Sequence, residues 1–282
     1  MTHPHPIDGR TRVTGIIGWP VEHSLSPAMH NAAFAALRLN WRYVAFPVDP
    51  ARVTEAVRGL AAAGVAGINV TIPHKRAVIE CCSSVSDAVR AIGAANTLVP
   101  DGAGGFRADN TDAEGFVRAL DEQAPLDLGG REVLILGAGG AARALAFILK
   151  RRGARVIVAN RTPGRAEEVG ADGEAPFSGP GRDAAVRRAA LIVNATSLGL
   201  HGDEIPAGLP LEAIEPGQVV ADIVYRAGGT PWLAAVGARG ARTVDGLGML
   251  LHQGAAAFAR WTGQEPPVEV MREALTDPRS AA

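Results

Sequence analysis

Between residues 132 and 159 the chain alternates unbroken apolar runs with small-residue turns: "EVLIL", then "GAGGAA", then "RALAFILKRRG", then "RVIVA". Short unbroken apolar runs read as buried strands, and the helically spaced stretch ends at Gly153, a natural helix stop. The pattern predicts a strand, turn, helix, strand unit. Further strands are predicted at "LIVNAT" (191–196) and "VVADIVY" (219–225), with a helix at "TPWLAAVGARG". The first part of the chain alternates as well. "VTGIIG", "WRYVAFPV" and "GINVT" read as strands, "SPAMHNAAFAALRL" and "ARVTEAVRGLAAAG" as helices, and another helix is predicted from Pro73. "NTLVPDGAGGFRADN" reads as a hairpin around a glycine- and aspartate-rich turn. Two helices, "DGLGMLLHQGAAAFARW" and "PPVEVMREAL", close the chain, with Met249 and Gln253 four apart on one face of the first. The stretch "GADGEAPFSGPGR" (170 to 183) reads as a mobile connection.

The two halves differ in chemistry. Gly137, Gly139 and Ala142 fit the pattern G-x-G-x-x-G/A, in which small residues let the backbone approach a pyrophosphate at a helix N-terminus. The loop thus comprises Gly137, Ala138, Gly139, Gly140 and Ala141. After the second strand, where an NAD binder places an acid, the chain reads "NRTPGR". Asn160, Arg161, Thr162 and Arg165 offer donors and positive charge suited to a 2′-phosphate, so NADP is the expected dinucleotide. The first half has no phosphate loop. The expected fold class is α/β, with an N-terminal α/β domain, a Rossmann-type nucleotide-binding domain, and C-terminal helices returning to the first domain. The expected boundaries are 1–112 with 246–282, and 113–245.

Composition narrows the partners. A chain of 282 residues with formal net charge −1 and scattered arginines has no electrostatic footprint for nucleic acid or an acidic membrane surface. "MTHPHPIDGRTR" carries no apolar leader, and no apolar run reaches spanning length, so a cytoplasmic protein without membrane contact is expected. Cys81 and Cys82 are adjacent, and His3, His5, His23, His30, His74 and His252 lack ligand spacing, so no metal is expected.

Polar groups end strands or open helices at "HSLSP", "NVTIPHK", "AANT" and "DNTDAE", which together would line a polar cleft facing the nucleotide. Each has a structural reading too. Ser26 before Pro27 suits an N-cap, whereas Ser24 does not. "TDAE" matches a capping box, leaving Asp112 as a first-turn acid. Asn194, Thr196 and Tyr225 sit at strand ends, where α/β sheets bind ligands, or simply cap turns. Lys75 is harder to explain by structure. Only Lys75 and Lys150 among 28 basic residues are lysines, and in the first turn of a helix from Pro73 a cation is disfavoured. Paired with Asp112 it could cycle a proton, which an arginine could not release.

Through "HSLSP", "GINVTIPHK", "GAANTL", "DNTD", "GAGGAAR", "NRTPGRAEE", "NATSLG" and "DGLGML" the chain resembles the shikimate dehydrogenase family over nearly its whole length. The resemblance implies NADPH-dependent reduction of 3-dehydroshikimate to shikimate, with a small-molecule substrate and a monomer or homodimer. It implies Lys75 and Asp112 as the catalytic pair, Ser24 and Ser26 against the substrate carboxylate, and Asn69, Thr71, Asn96, Tyr225 and Gln253 near the ring hydroxyls. The nucleotide grip would add Asn194, Thr196, Ile223, Gly246 and Met249 to the glycine loop and the "NRTPGR" residues. A sister branch accepts quinate with NAD; the two serines of "HSLSP" and two arginines of "NRTPGR" look like the biosynthetic, NADP-using branch. "RAGGTP" after Tyr225 departs from the proline members often carry there. Two other classes fit the residues less well. A non-catalytic NADP-binding regulator would not need a titratable lysine beside an acid, and a folate-type dehydrogenase would want an apolar slot for its pterin.

Overall fold

The computed structural model describes residues 5–200, 202, 205–226 and 228–277. His3 and the Ala227 of "RAGGTP" lie outside the described residues. Two compact units result, Met1–Thr111 with Leu251–Ala282, and Asp112–Leu250.

The first unit holds β1 (Arg12–Gly18), α1 (Ser26–Ala36), β2 (Trp41–Pro47), α2 (Val53–Ala62), β3 (Ile68–Val70), β4 (Ser84–Val85), α3 (Asp87–Ile92), β5 (Thr97–Pro100) and β6 (Phe106–Asp109). Its six-stranded sheet runs β2-β1-β3-β5-β6-β4. β1 pairs in parallel with β2 and β3, while β5 joins β3 and β6 antiparallel, the latter as the hairpin the glycine-rich turn predicts. Close approach of β1 and β2 requires Gly15, since a Cβ there would lie 2.3 Å from the Val44 carbonyl oxygen.

The second unit begins with α4 (Asp112–Gln123) and continues through β7 (Glu132–Leu136), α5 (Gly140–Arg151), β8 (Arg155–Ala159), β9 (Gly173–Ala175), α6 (Pro180–Arg188), β10 (Leu191–Asn194), β11 (Val219–Asp222), α7 (Pro231–Gly237) and β12 (Arg242–Val244). Its strands are all parallel, in the order β12-β11-β10-β7-β8-β9. The order reverses between β7 and β10, the place where doubly wound sheets bind dinucleotides. Val133, Leu134, Ile135 and Leu136 are fully buried, as unbroken apolar runs in a sheet covered on both faces must be. Truncating Leu134 to alanine would cost about 2–5 kcal/mol. α8 (Gly246–Thr262) and α9 (Val268–Thr276) end the described chain, and α9 packs on α1 in the first unit.

Several expectations are corrected. No helix starts at Pro73: residues 72–76 form turns, and a 3₁₀ helix follows at Ala77–Cys81. The Ala95 N–H donates to the Lys75 carbonyl at 2.7 Å and the His74 ring bonds the Val48 carbonyl at 2.8 Å, so tertiary bonds override the local pattern. The 170–183 stretch contains a strand not expected there: the Asp172 carboxylate accepts the Val156 N–H at 2.9 Å and leads β9 onto the edge of β8. α1 takes Leu25 as its cap residue and Ser26 as its first residue. The hydroxyl that serves its N-terminus is that of Ser24, which accepts the Ser26 N–H at 3.3 Å. β10 and β11 stop at Asn194 and Asp222, short of Thr196 and Tyr225.

Candidate active site

In the first unit, adjacent strands β3 and β5 bring asparagines into one buried network. Asn69 on β3 is 4% exposed, and its Oδ1 accepts the Tyr43 hydroxyl at 2.8 Å. Its Nδ2 donates to the Asn96 carbonyl at 3.2 Å and to Thr97 Oγ1 at 3.3 Å. Asn96, just before β5, receives the Thr111 N–H on Oδ1 at 2.7 Å and donates through Nδ2 to Thr111 Oγ1 (3.0 Å) and Gln253 Oε1 (3.2 Å). Gln253 on α8 is buried as well. Three of the expected substrate residues are thus joined in one hydrogen-bonded array. Fixed amides of this kind suit a polyhydroxylated ligand, because an analogue lacking a hydroxyl would leave a buried polar group unpaired.

Thr71 follows β3, half-buried, with its N–H on the Ile17 carbonyl at 2.9 Å and its own carbonyl accepting from His74 N–H at 3.0 Å. Lys75 lies half-buried in that turn, so the first-turn argument for its oddity lapses; the turn is pinned by His74, which is 1% exposed. Ser24 is half-buried and Ser26 fully buried. Asp112, 4% exposed, opens α4 directly after the networked Thr111.

In the second unit, β7 turns sharply into α5 at the glycine loop. Gly137 sits at φ +103°, where a Cβ would lie 3.1 Å from the Ala195 carbonyl oxygen. Gly139 precedes α5 in extended conformation, without a side-chain cap, and is exposed with open space where a Cβ would stand. Ala138, Gly140 and Ala141 are half-buried beside it. Beyond β8, Asn160 Nδ2 holds the Thr162 carbonyl at 2.9 Å, Arg161 and Thr162 are exposed, and Arg165 pairs with Glu168. Arg143, on the helix of the glycine loop, meets the same Glu168 carboxylate at 3.4 Å.

At the ends of β10 and β11, side chains form a second buried array. Asn194 Oδ1 accepts the Thr196 N–H (3.1 Å) and hydroxyl (2.7 Å), while Nδ2 donates to Asp222 Oδ1 at 2.8 Å. Asp222 also accepts the Val224 N–H at 3.0 Å and, on Oδ2, the Thr230 hydroxyl at 2.9 Å. Burial pushes the Asp222 carboxyl above the usual carboxylate range, against the pull of the Val224, Thr230 and Asn194 donors. Ile223 donates its N–H to the Asn194 carbonyl at 3.1 Å, and Tyr225 is half-buried two residues later. Gly246 is buried where a Cβ would lie 2.6 Å from the Val224 carbonyl, and Met249 belongs to the hydrophobic core of this unit.

Family models match three stretches of the chain: the shikimate dehydrogenase substrate binding domain over residues 16–98, shikimate / quinate 5-dehydrogenase over 119–179, and the shikimate 5′-dehydrogenase C-terminal domain over 246–276. A shikimate dehydrogenase (NADP(+)) of Methanopyrus kandleri is 46% identical, over 96% of this chain and 97% of the relative. The chain belongs to the shikimate dehydrogenase family. Its fold matches the crystal structure of shikimate dehydrogenase from Aquifex aeolicus with a TM-score of 0.89 at 37% identity, covering 96% of this chain and all of that one (100%). It likewise matches shikimate 5-dehydrogenase from Thermus thermophilus in complex with NADP(H) and shikimate, with a TM-score of 0.85 at 38% identity over 96% and 100% of the two chains.

For a shikimate dehydrogenase family member, the residues present fit a phosphorylated dinucleotide. The open space at Gly139, the uncapped N-terminus of α5 and the exposed Arg161, with no acid in "NRTPGR", are suited to a pyrophosphate and a further phosphate. Sequence reasoning missed Tyr43, Thr97, His74, Asp222 and Thr230, which fix the predicted residues from behind. Asp222 shows in the sequence only as a polar side chain within the apolar run "VVADIVY", and Thr230 only as a threonine before Pro231, the pattern of a helix cap. Among the described residues no cluster of His, Cys, Asp and Glu is arranged to hold a metal, and no helix is long and apolar enough to cross a membrane.

Proposed function

We infer that the chain is an NADP-dependent shikimate dehydrogenase, catalysing the reversible reduction of 3-dehydroshikimate to shikimate. The observation that carries this reading is the Asn69–Asn96–Gln253 array, a set of buried, pre-oriented amides suited to the hydroxyls of a small ring acid, in a chain nearly coextensive with relatives of that name. Ser24 and Ser26 take the substrate carboxylate; Asn69, Thr71, Asn96, Tyr225 and Gln253 take its hydroxyls. Lys75 donates the proton to the oxygen of the ring carbonyl and withdraws it in the reverse direction, with Asp112 as its acidic counterpart. When bound, the reduced nicotinamide would supply the hydride of the reduction, that is, its two electrons and the hydrogen added at the ring carbon. Gly137, Ala138, Gly139, Gly140 and Ala141 hold the pyrophosphate, and Asn160, Arg161, Thr162 and Arg165 hold the 2′-phosphate. Asn194, Thr196, Ile223, Gly246 and Met249 shape the nicotinamide end. The cytoplasm is the proposed setting, in keeping with two free thiols at Cys81 and Cys82.

The experiment follows nicotinamide absorbance with purified protein, offering shikimate or quinate with NADP or NAD in all four combinations. Strong turnover confined to shikimate with NADP is expected. Preference for quinate with NAD would move the chain to the sister branch, and no turnover with any pair would reject the enzyme reading.

A further inference from the structure

We propose that Asp222 is a positioning residue that sets the nicotinamide end of the nucleotide site through its two acceptor oxygens. The proposal rests on the reading of the chain as an NADP-dependent enzyme. In the sheet order β12-β11-β10-β7-β8-β9, the glycine loop follows β7 and the arginine-bearing loop follows β8. A dinucleotide lying across the reversal point with its adenosine toward β8 must carry its nicotinamide toward β10 and β11.

Asp222 ends β11 at 2% exposure and ties together what surrounds that end. Oδ1 takes the Asn194 amide at 2.8 Å and the Val224 N–H at 3.0 Å, and Oδ2 takes the Thr230 hydroxyl at 2.9 Å. Because Asn194 Nδ2 is committed to Asp222, its Oδ1 must face Thr196, whose hydroxyl in turn accepts the Leu198 N–H at 3.1 Å. Thr230 caps α7 by accepting the Leu233 N–H. One carboxylate therefore sets the loop after β10, the segment carrying Ile223 and Tyr225, and the start of α7.

No described cation pairs with it; its partners are three neutral donors. A buried charge without a counter-ion is a poor stabiliser, so the feature the fold uses is acceptor geometry. An asparagine could keep it: the amide oxygen would receive the Asn194 and Val224 donors, and the Thr230 hydroxyl could rotate to accept from the new NH₂ group.

The test measures dissociation constants by fluorescence titration for NADPH and, by its competition with NADPH, for adenosine 2′,5′-bisphosphate, which carries the adenosine end alone. For Asp222→Ala the NADPH constant is expected to rise about tenfold, with the fragment within about twofold of the parent protein. Asp222→Asn is expected to stay within about threefold for both. Should Asp222→Ala not fold, Thr230→Val, which removes the bond to Oδ2 together with the cap on the Leu233 N–H, is expected to weaken NADPH and spare the fragment. Equal weakening of NADPH and fragment, unchanged NADPH binding in the folded alanine and valine variants, or an asparagine variant as weak as the alanine one would overturn the proposal. A parent protein that binds NADPH but does not turn over shikimate would reject the assigned reaction while the binding constants still decide the role of Asp222.

Discussion

The backbone N–H of Thr111 donates to Asn96 Oδ1 at 2.7 Å, and this bond decides which end of the Asn96 amide faces Gln253. A main-chain N–H can only donate, so the oxygen must turn toward Thr111 and the NH₂ toward Thr111 Oγ1 and Gln253 Oε1, at 3.0 and 3.2 Å. Gln253 is fixed in turn: its oxygen is engaged by Asn96, and its NH₂ forms the other end of the amide. Polarity set by the backbone at residue 111 is thereby carried to a residue far along the chain.

Asn96→Asp breaks that relay. The carboxylate keeps the Thr111 N–H but sets an oxygen against Gln253 Oε1, so the glutamine amide must flip or lose its partner. The KM for shikimate should rise ~10-fold or more while kcat falls less, and stability should drop by about 1–3 kcal/mol. Steady-state kinetics with a thermal melt decide it; an unchanged KM would remove Gln253 orientation from substrate recognition.

Lys75→Ala should lower kcat by ~10²-fold or more, the usual contribution of a general acid. Lys75→Arg should be nearly as poor, because a guanidinium holds its proton. Melting temperatures should move little, since the turn is anchored by the buried His74 ring on the Val48 carbonyl and by the Lys75 backbone carbonyl. Near-normal turnover in either variant would take the proton step away from Lys75.

Arg161→Asp places a carboxylate where the 2′-phosphate is assigned. The KM for NADP should rise by at least ~10-fold, with that for NAD changed far less. Equal changes for both dinucleotides would show that Arg161 supports the loop rather than the phosphate.

The strand and helix pattern was legible where local periodicity and burial agree. β7, α5 and β8 follow "EVLIL", "RALAFILKRRG" and "RVIVA" closely, because a doubly covered parallel sheet demands unbroken apolar runs. Legibility failed where side chains reach across the sequence. The turn at 72–76 is held by Ala95 and Val48, and β9 by an Asp172 bond to Val156, none of which leaves a trace in local spacing. Position along strands pointed to Asn194, but not to Asp222, whose partners Asn194, Val224 and Thr230 come together only in the folded sheet. The serines of "HSLSP" show the same limit. The Ser26–Pro27 pair favoured Ser26 as the cap, yet Ser26 is itself the first helical residue, and the hydroxyl two residues earlier accepts its N–H.

His30 gives the fold an acid-sensitive element. Its ring is fully buried, stacked on Tyr43 at 4.4 Å between centroids and flanked by Phe34, Phe258 and Trp261, and neither ring nitrogen has a hydrogen-bond partner among the described residues. Burial pushes its pKa down to about 3 from 6.5. The unfolded chain therefore binds a proton here that the folded chain refuses. The sign follows: this residue leaves stability highest above pH 6.5 and lowers it steadily as the pH falls toward about 3. Between pH 7 and 5 the loss from this one group is on the order of 2 kcal/mol. His30→Leu, which keeps an apolar side chain on Tyr43 but cannot titrate, should flatten the fall of the urea midpoint across that range. A midpoint that falls as steeply in the variant as in the parent would show that His30 takes up its proton without unfolding.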